Sequence, residues 1–330
     1  MSAEDSTETT RPGGLAPSKT SERSEKHGEP SLKHGDLAEK HDEHAGMHDD
    51  PSHKHGDLVE KHDDLSDKLD ELSAILRGYR RVVVAFSGGV DSTFLLAYAA
   101  QTDGVEATGV MVSTALVPDS DLEFARRFCD ERGIDLIVVE VDALGCADVR
   151  DNPPDRCYHC KKLDMGAVMD VAADMGAIAC DGMNVDDASD YRPGTLATEE
   201  LGIRSPLAES GFTKQDIRKA AKALGLPNWD KPASACLASR IPYGTPLDAD
   251  TLRRIGKAEA MLRAEGFPQV RVRMHGDVAR IEVPADRIPE LCSDPLRQDV
   301  AARMHEMGFA YVSCDMLGYR TGSLNEQLGL

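Results

Sequence analysis

The chain has 330 residues and a formal net charge of −20, from 58 acidic and 38 basic side chains. Hydrophobic residues make up 41% of it, which is enough to fill one large domain and a smaller one. So acidic a chain repels phosphate backbones, and we expect no nucleic-acid partner. It has neither a run of the ~20 apolar residues that a membrane span needs nor a signal-peptide core, so we expect a cytoplasmic protein with reduced thiols and no membrane contact.

Residues 1–70 differ in composition from the rest and are predicted to be a disordered or partly helical tail. Histidines recur seven residues apart, as in "KHGDLAEKHDEH" and "KHGDLVEKHDDL". From about 55 to 77 leucines take over the seven-residue step, which predicts an amphipathic helix that docks or pairs as a short coiled coil. His41, His44 and His48 are three and four residues apart, so on a helix they would face one Ni²⁺ or similar ion. The alternative is a solvated acidic tail.

From residue 80 onwards, strands alternate with helices. Apolar runs at 81–86, 107–113, 135–142 and 177–184 predict strands, and the segments between them predict helices. This order predicts an α/β fold with a doubly wound parallel sheet over 71–247, whose ligands bind beyond the carboxyl ends of the strands. A hairpin at 269–284, one helix over about 286–308 and a last strand predict a small α+β domain over 248–330.

The stretch "AFSGGVDSTFLL" (85–96) follows the first strand and begins the first helix. Its glycines let backbone N–H groups approach a phosphate, and its hydroxyls add donors. The spacing is not that of the kinase-type loop, GxxxxGK[ST]. It resembles the SGGxDS loop of the PP-loop ATP pyrophosphatases, which split ATP between its α and β phosphates. The resemblance implies ATP and Mg²⁺ as cofactors, with Asp91 near pyrophosphate and metal, and ATP-binding residues Ser87, Gly88, Gly89, Asp91, Ser92 and Thr93.

Further blocks narrow this resemblance. "NPPDRCYHCKK", "DGMNVDDASDYRPG", the segment 202–244 and "VRVRMHGDVARIE" resemble successive blocks of the LarE family, over about residues 70–330. Those enzymes are ATP-dependent sulfur transferases that build the nickel-pincer nucleotide of lactate racemase. The resemblance implies that a carboxylate of a pyridinium mononucleotide is adenylated and then converted to a thiocarboxylate. It also leads us to expect a homo-oligomer.

Cys157 and Cys160 stand three apart in "DRCYHCKK". By spacing alone they fit a redox couple, half of a metal site, a sulfur donor or two buried residues. A helix start and the two lysines that follow favour thiolates here.

The LarE resemblance adds Cys236, in "PASACLASR", as a third catalytic thiol. Family members with such a set of three are taken to hold a [4Fe-4S] cluster, which leaves one iron open for sulfide. Other members give up the sulfur of a single cysteine, which corresponds here to Ala235. The departure favours a cluster on Cys157, Cys160 and Cys236, and the sacrificial route stays open.

Other predicted site residues follow from position and family pattern. Asp181 ends the fourth strand and is assigned to ATP, the alternative being a turn cap. The residues assigned to substrate are Arg192, Arg204, Ser239, Arg240, Glu259, Arg271 and Arg273. Arginines hold phosphate bidentately, but they form ordinary ion pairs as well.

Two other functions compete with this one. A PP-loop tRNA thiolase also combines this loop with cysteines, but it needs a basic RNA-binding extension. A non-enzymatic metal-binding protein would act through the His-rich tail. The intact "SGGVDS" favours an enzyme.

Overall fold

The computed structural model describes residues 64–188, 193–232 and 235–324, which belong to one compact unit, Glu60–Leu330. The tail, with His41, His44 and His48, lies outside these ranges, and so does Arg192. Among the described residues, no helix is long and apolar enough to cross a membrane.

The described strands are β1 (Arg81–Ala85), β2 (Glu106–Ser113), β3 (Asp135–Glu140), β4 (Ile178–Cys180), β5 (Arg271–His275), β6 (Val278–Glu282) and β7 (Tyr311–Cys314). The helices are α1 (Asp64–Tyr79), α2 (Val90–Gln101), α3 (Asp119–Arg132), α4 (Ala147–Arg150), α5 (Arg156–Met175), α6 (Val185–Ala188), α7 (Pro193–Glu200), α8 (Pro206–Glu209), α9 (Lys214–Ala223), α10 (Ala249–Ala264), α11 (Ile288–Leu291) and α12 (Leu296–Glu306).

The larger sheet is parallel, in the order β3-β2-β1-β4. Its central strand is apolar at every inner position because both of its faces are covered. Val82 and Val84 contribute to a core with α1, α2, α3 and α9, whereas Val83 contributes to a second core with α5. The doubly wound α/β prediction is therefore confirmed.

Beyond β4 the sheet continues through a single bridge between Cys180 and Arg204. The Arg204 N–H donates to the Ala179 carbonyl, and the Asp181 N–H donates to the Arg204 carbonyl, both at 2.9 Å. The chain after β4 is thus fixed at the carboxyl edge of the sheet, where α/β proteins bind ligands.

The smaller sheet has the order β5-β6-β7, with an antiparallel hairpin and a parallel third strand. This confirms the small C-terminal α+β part. One prediction for it was wrong: residues 286–308 form two helices, α11 and α12, and not one. Pro295 precedes α12 as its N-cap, and proline cannot continue a helix because it lacks the N–H and its ring clashes with the preceding turn.

Helix α1 docks on the larger core through the repeated leucines. Leu72 and Leu76 are fully buried, and Leu65 and Leu69 pack beside them. The Tyr98 hydroxyl donates to the Leu69 carbonyl at 2.9 Å. For the residues from Asp64 onwards, the seven-residue step is therefore a docking stripe.

Candidate functional site

A cavity of about 870 Å³ opens at the carboxyl edge of the parallel sheet, lined by the ends of β1 and β2 and by the residues that follow β4. Its volume is in the range of small-molecule sites. The SGGVDS segment (87–92), which we call the phosphate loop, lines this cavity, and so does Cys236. The charged side chains that line it are Asp91, Asp121, Lys161, Asp164, Asp181, Asp186, Asp187, Lys214, Arg218 and Lys231.

The phosphate loop joins β1 to α2, as its sequence predicts. Gly88 has φ +70°, a left-handed conformation that glycine adopts without strain, and Gly89 is the N-cap of α2. The Ser87 and Ser92 hydroxyls are 3.1 Å apart, which fixes the two ends of the loop. The cavity is lined by Ser87, Gly89, Asp91 and Ser92. Two hydroxyls and a carboxylate therefore lie near the start of α2, where the first N–H groups have no partner within the helix.

The end of β4 presses against the start of α2. A Cβ at Gly182 would lie 2.8 Å from the Ser92 nitrogen, so only glycine fits there. The preceding residue, Asp181, lines the cavity, and its carboxylate accepts the Ser205 hydroxyl at 2.8 Å and the Met183 N–H at 3.1 Å. The structure thus places Asp181 beside the phosphate loop, held by two donors.

Thr93 lies behind the phosphate loop. It is fully buried, and its hydroxyl donates to the Gly89 carbonyl at 2.8 Å and accepts from the Asn228 amide at 2.9 Å. Asn228 and Lys231 both donate to the Gly88 carbonyl, each at 3.2 Å. These residues support the loop from behind, and Asn228 and Lys231 were not predicted.

Asp91 forms an ion pair with Lys214 inside the cavity. Its Oδ2 accepts from Lys214, whereas its Oδ1 is buried without a hydrogen-bond partner among the described residues. Burial raises the pKa of Asp91, and Lys214 opposes that rise. The sequence analysis did not predict Lys214. A signal was present, because Lys214 begins α9 and the helix dipole disfavours a cation there, which indicates that another interaction holds it.

Cys236 lines the cavity as the N-cap of a 3-10 helix, Leu237–Arg240. Cys157 and Cys160 lie on the first turns of α5, the former exposed and the latter half-buried. Burial first, then the charge of Asp164 and that of Cys236, raise the pKa of the Cys160 thiol. Cys157 and Cys160, three residues apart on α5, share a helix face, and Cys160 and Cys236 pack against the same hydrophobic core.

The expectation of thiolates at both cysteines of α5 was wrong for Cys160 in the free protein. Its burial outweighs the helix start, and Lys162 binds Glu200 at 2.9 Å. Within the described residues, no three His, Cys, Asp or Glu side chains converge on the position of one metal ion.

Arg240 and Glu259 form a fully buried, two-pronged ion pair, with N–O distances of 2.7 and 2.9 Å. Arg240 also donates to the carbonyls of Ala235 and Cys236, at 2.9 and 3.0 Å. The Ser239 hydroxyl donates to the Cys236 carbonyl at 2.8 Å. In this structure the pair therefore fixes the backbone that carries Cys236.

Two arginines of β5 lie next to this backbone. Arg273 donates to Glu282 at 2.6 Å and to the Ser239 carbonyl at 2.7 Å. Arg271 lies over the Tyr319 ring, 5.3 Å from its centroid, and burial lowers its pKa. Both are buried and outside the cavity wall, so their assignment to substrate stays a prediction.

Arg204 lies apart from the cavity. Its guanidinium donates to both oxygens of Glu209, at 2.9 and 2.5 Å, and lies over the Tyr79 ring. The structure therefore gives Arg204 an ion pair, which is the alternative considered for it.

Two known proteins resemble this chain over about three quarters of its length. No family model matches the chain. The pyridinium-3,5-bisthiocarboxylic acid mononucleotide synthase of Lactiplantibacillus plantarum is 40% identical over 257 residues, or 77% of this chain and 92% of that protein. An uncharacterized protein of Synechocystis sp. is 40% identical over 75% of this chain and 93% of its own length.

A more distant relative is the tRNA-specific 2-thiouridylase of Salinispora tropica, 32% identical over 47% of this chain and 52% of that enzyme. The likeness to the synthase, by contrast, extends over more than three quarters of this chain and nine tenths of that protein. The chain belongs to the LarE family of sulfur transferases.

Proposed function

We propose that this protein uses ATP to convert a carboxylate of a pyridinium mononucleotide into a thiocarboxylate, in the biosynthesis of the nickel-pincer nucleotide. The observation that carries the proposal is that the phosphate loop and Cys236 line the same cavity. Activation and sulfur transfer can then take place without release of the activated intermediate. The name of the Lactiplantibacillus plantarum relative supports this substrate class.

In the first step, a substrate carboxylate oxygen attacks the α-phosphorus of ATP. A new P–O bond forms, and the bond to the β-phosphate breaks with both electrons leaving on pyrophosphate. The loop from Ser87 to Ser92 offers backbone and hydroxyl donors for the phosphates. The buried, unpartnered Oδ1 of Asp91 fits Mg²⁺, which prefers oxygen ligands.

In the second step, a sulfur nucleophile attacks the acyl carbon and AMP leaves. A carboxylate is a poor electrophile, and adenylation supplies the leaving group that it lacks. Cys236 is the thiol placed in the cavity wall, held through its carbonyl by Arg240 and Ser239. We assign it to sulfur delivery.

Cys157, Cys160 and Cys236 fit an iron–sulfur cluster by donor chemistry. All three are free thiols; Cys157 and Cys160 share a face of α5, and Cys160 and Cys236 pack against one hydrophobic core. A cluster presents different irons to different thiolates, so its ligands need not converge on one ion position. When bound, it would supply the transferred sulfur from outside the polypeptide and keep the thiols deprotonated, against the raised pKa of Cys160.

Purification without air, followed by iron and sulfide analysis, tests this assignment. We expect brown protein with about four irons per chain. Cys157→Ala, Cys160→Ala and Cys236→Ala should each lose iron and thiocarboxylate formation but keep pyrophosphate release from ATP and pyridinium-3,5-biscarboxylic acid mononucleotide. Cys292→Ala, at an exposed thiol, is the matched control and should keep all three.

Mass spectrometry of Cys236 after one turnover separates the two sulfur routes. An unchanged side chain supports the cluster. Loss of the sulfur mass from Cys236 would establish the sacrificial route and remove the cluster from the proposal.

The tRNA thiolase is the second candidate, favoured by the partial likeness to the 2-thiouridylase. That likeness covers about half of each chain, and the net charge of −20 opposes RNA binding. Thiolation of unmodified tRNA in place of the mononucleotide would decide for it. We further propose a cytoplasmic enzyme, since reduced thiols suit this sulfur chemistry. Its homo-oligomeric state stays a prediction.

A further inference from the structure

Lys214 is the cavity cation that forms an ion pair with Asp91, the carboxylate of the phosphate loop. It is the first residue of α9, and its Nζ pairs with Asp91, which is 123 residues earlier in the chain. Its backbone N–H donates to Asp186 at 2.8 Å, and the Thr213 capping box fixes the turn. The backbone of Lys214 is therefore fixed, while its ammonium group extends into the cavity.

The other cations of the cavity have different partners. Lys231 donates to the Gly88 carbonyl at 3.2 Å and to Asp121 at 3.0 Å, and it lies over the Phe124 ring. Arg218 donates to the Lys231 carbonyl at 3.3 Å, and Lys161 lies on α5. Lys231 is thus held by a loop carbonyl and a carboxylate of α3, whereas Lys214 is paired with Asp91, the carboxylate of the loop itself.

Asp91 has one oxygen on Lys214 and one without a partner among the described residues. A divalent cation and the ammonium group of Lys214 therefore compete for the same carboxylate. ATP adds several negative charges next to it, which gives the ammonium group a second partner.

We propose that Lys214 is an ATP-binding residue that neutralises Asp91 in the free protein and moves to the β- and γ-phosphates when Mg·ATP binds, leaving Asp91 to the metal. The proposal rests on the adenylation function given above. In the reaction, the ammonium group stabilises the negative charge that pyrophosphate gains as its bond to the α-phosphorus breaks. The step that we propose for Lys214 transfers no proton and involves no redox change.

The test compares Lys214→Met with Lys219→Met, an exposed lysine on the same helix. Binding of Mg²⁺ with α,β-methylene-ATP, which cannot react, is measured by calorimetry. We expect Lys214→Met to weaken binding about 10- to 100-fold, the usual effect of one charge-assisted contact, and Lys219→Met to leave it unchanged. Lys214→Arg should recover part of the affinity.

A second titration uses Mn²⁺ without nucleotide. Removal of the competing ammonium should make Lys214→Met bind Mn²⁺ more tightly than the wild type does. Unchanged analogue affinity in Lys214→Met would overturn the proposal, and so would weaker Mn²⁺ binding. Both titrations need no mononucleotide, so they stand even if the wild type fails to adenylate that substrate, a result that would count against the proposed function alone.

Discussion

Asp91 combines two properties that conflict in a resting protein: it is a carboxylate, and it lies in a place that disfavours charge. Burial raises its pKa, and Lys214 and Arg218 act in the opposite direction. Such a carboxylate is suited to a metal ion that arrives with the nucleotide.

Asp91→Asn should lower the rate of pyrophosphate release about 100-fold or more, because the amide keeps the shape of the side chain but lacks the negative charge that binds a metal ion. Asp103→Asn, in an exposed turn, is the control. Pyrophosphate release and the melting temperature are measured together. Normal release from Asp91→Asn would remove the ATP assignment of this loop.

The buried pair Arg240–Glu259 is expected to matter for the stability of the fold. Glu259→Gln leaves the Arg240 charge buried and uncompensated, so it should lower the free energy of unfolding by about 3–5 kcal/mol. Asp250→Asn breaks an exposed pair with Arg253 and should cost about 0.5 kcal/mol or less. Urea unfolding of both variants measures the difference, and equal losses would contradict the buried role of the pair.

The residues of the phosphate loop were predictable because their signal is local: six positions between a strand and a helix. Lys214 and Asn228 were not, since their contacts with that loop span 123 and 135 residues. Arg240 shows a third case. Its residue type suggested phosphate binding, whereas the fold surrounds it with Glu259 and two carbonyls.

At the scale of elements, the parallel strands were predictable because each is an apolar run followed by a helix. The break between α11 and α12 was missed because apolar positions continue across Pro295. The docking of α1 was left open, since a leucine stripe is the same whether it meets another chain or its own core.

Asp216 joins α9 to α1 and gives an element-scale prediction. Burial acts to raise its pKa, but hydrogen bonds from Thr213 and Lys68 outweigh it and lower the pKa to about 2. A lowered pKa stabilises the fold above the unfolded value, near 4, and the gain is lost as the pH falls towards 2.

Asp216→Asn should therefore lower the free energy of unfolding by about 1 kcal/mol at neutral pH, the usual effect of a lost helix cap. Its difference from the wild type should shrink between pH ~4 and ~2. Urea unfolding across that range, with the exposed Asp130→Asn as control, checks the sign. A difference that grows on acidification would contradict it.

At the scale of the whole molecule, we expect the His-rich tail and the sulfur transferase to function independently. We expect His41, His44 and His48 to bind Ni²⁺ and to be dispensable for sulfur transfer. The triple change of these histidines to Ala, made in the full chain, should lose Ni²⁺ binding in calorimetry and keep thiocarboxylate formation. Equal Ni²⁺ binding by both proteins would leave the tail as a solvated acidic segment.

The shared cavity has a consequence for how economically ATP is used. An acyl adenylate is hydrolysed by water, so each intermediate that escapes wastes one ATP. Cys236 lines the cavity in which we propose that the adenylate forms, so on this proposal hydrolysis competes with a sulfur nucleophile that is already in place. We expect a ratio of AMP formed to sulfur transferred of about one, and a higher ratio wherever the Cys236 backbone is loosened.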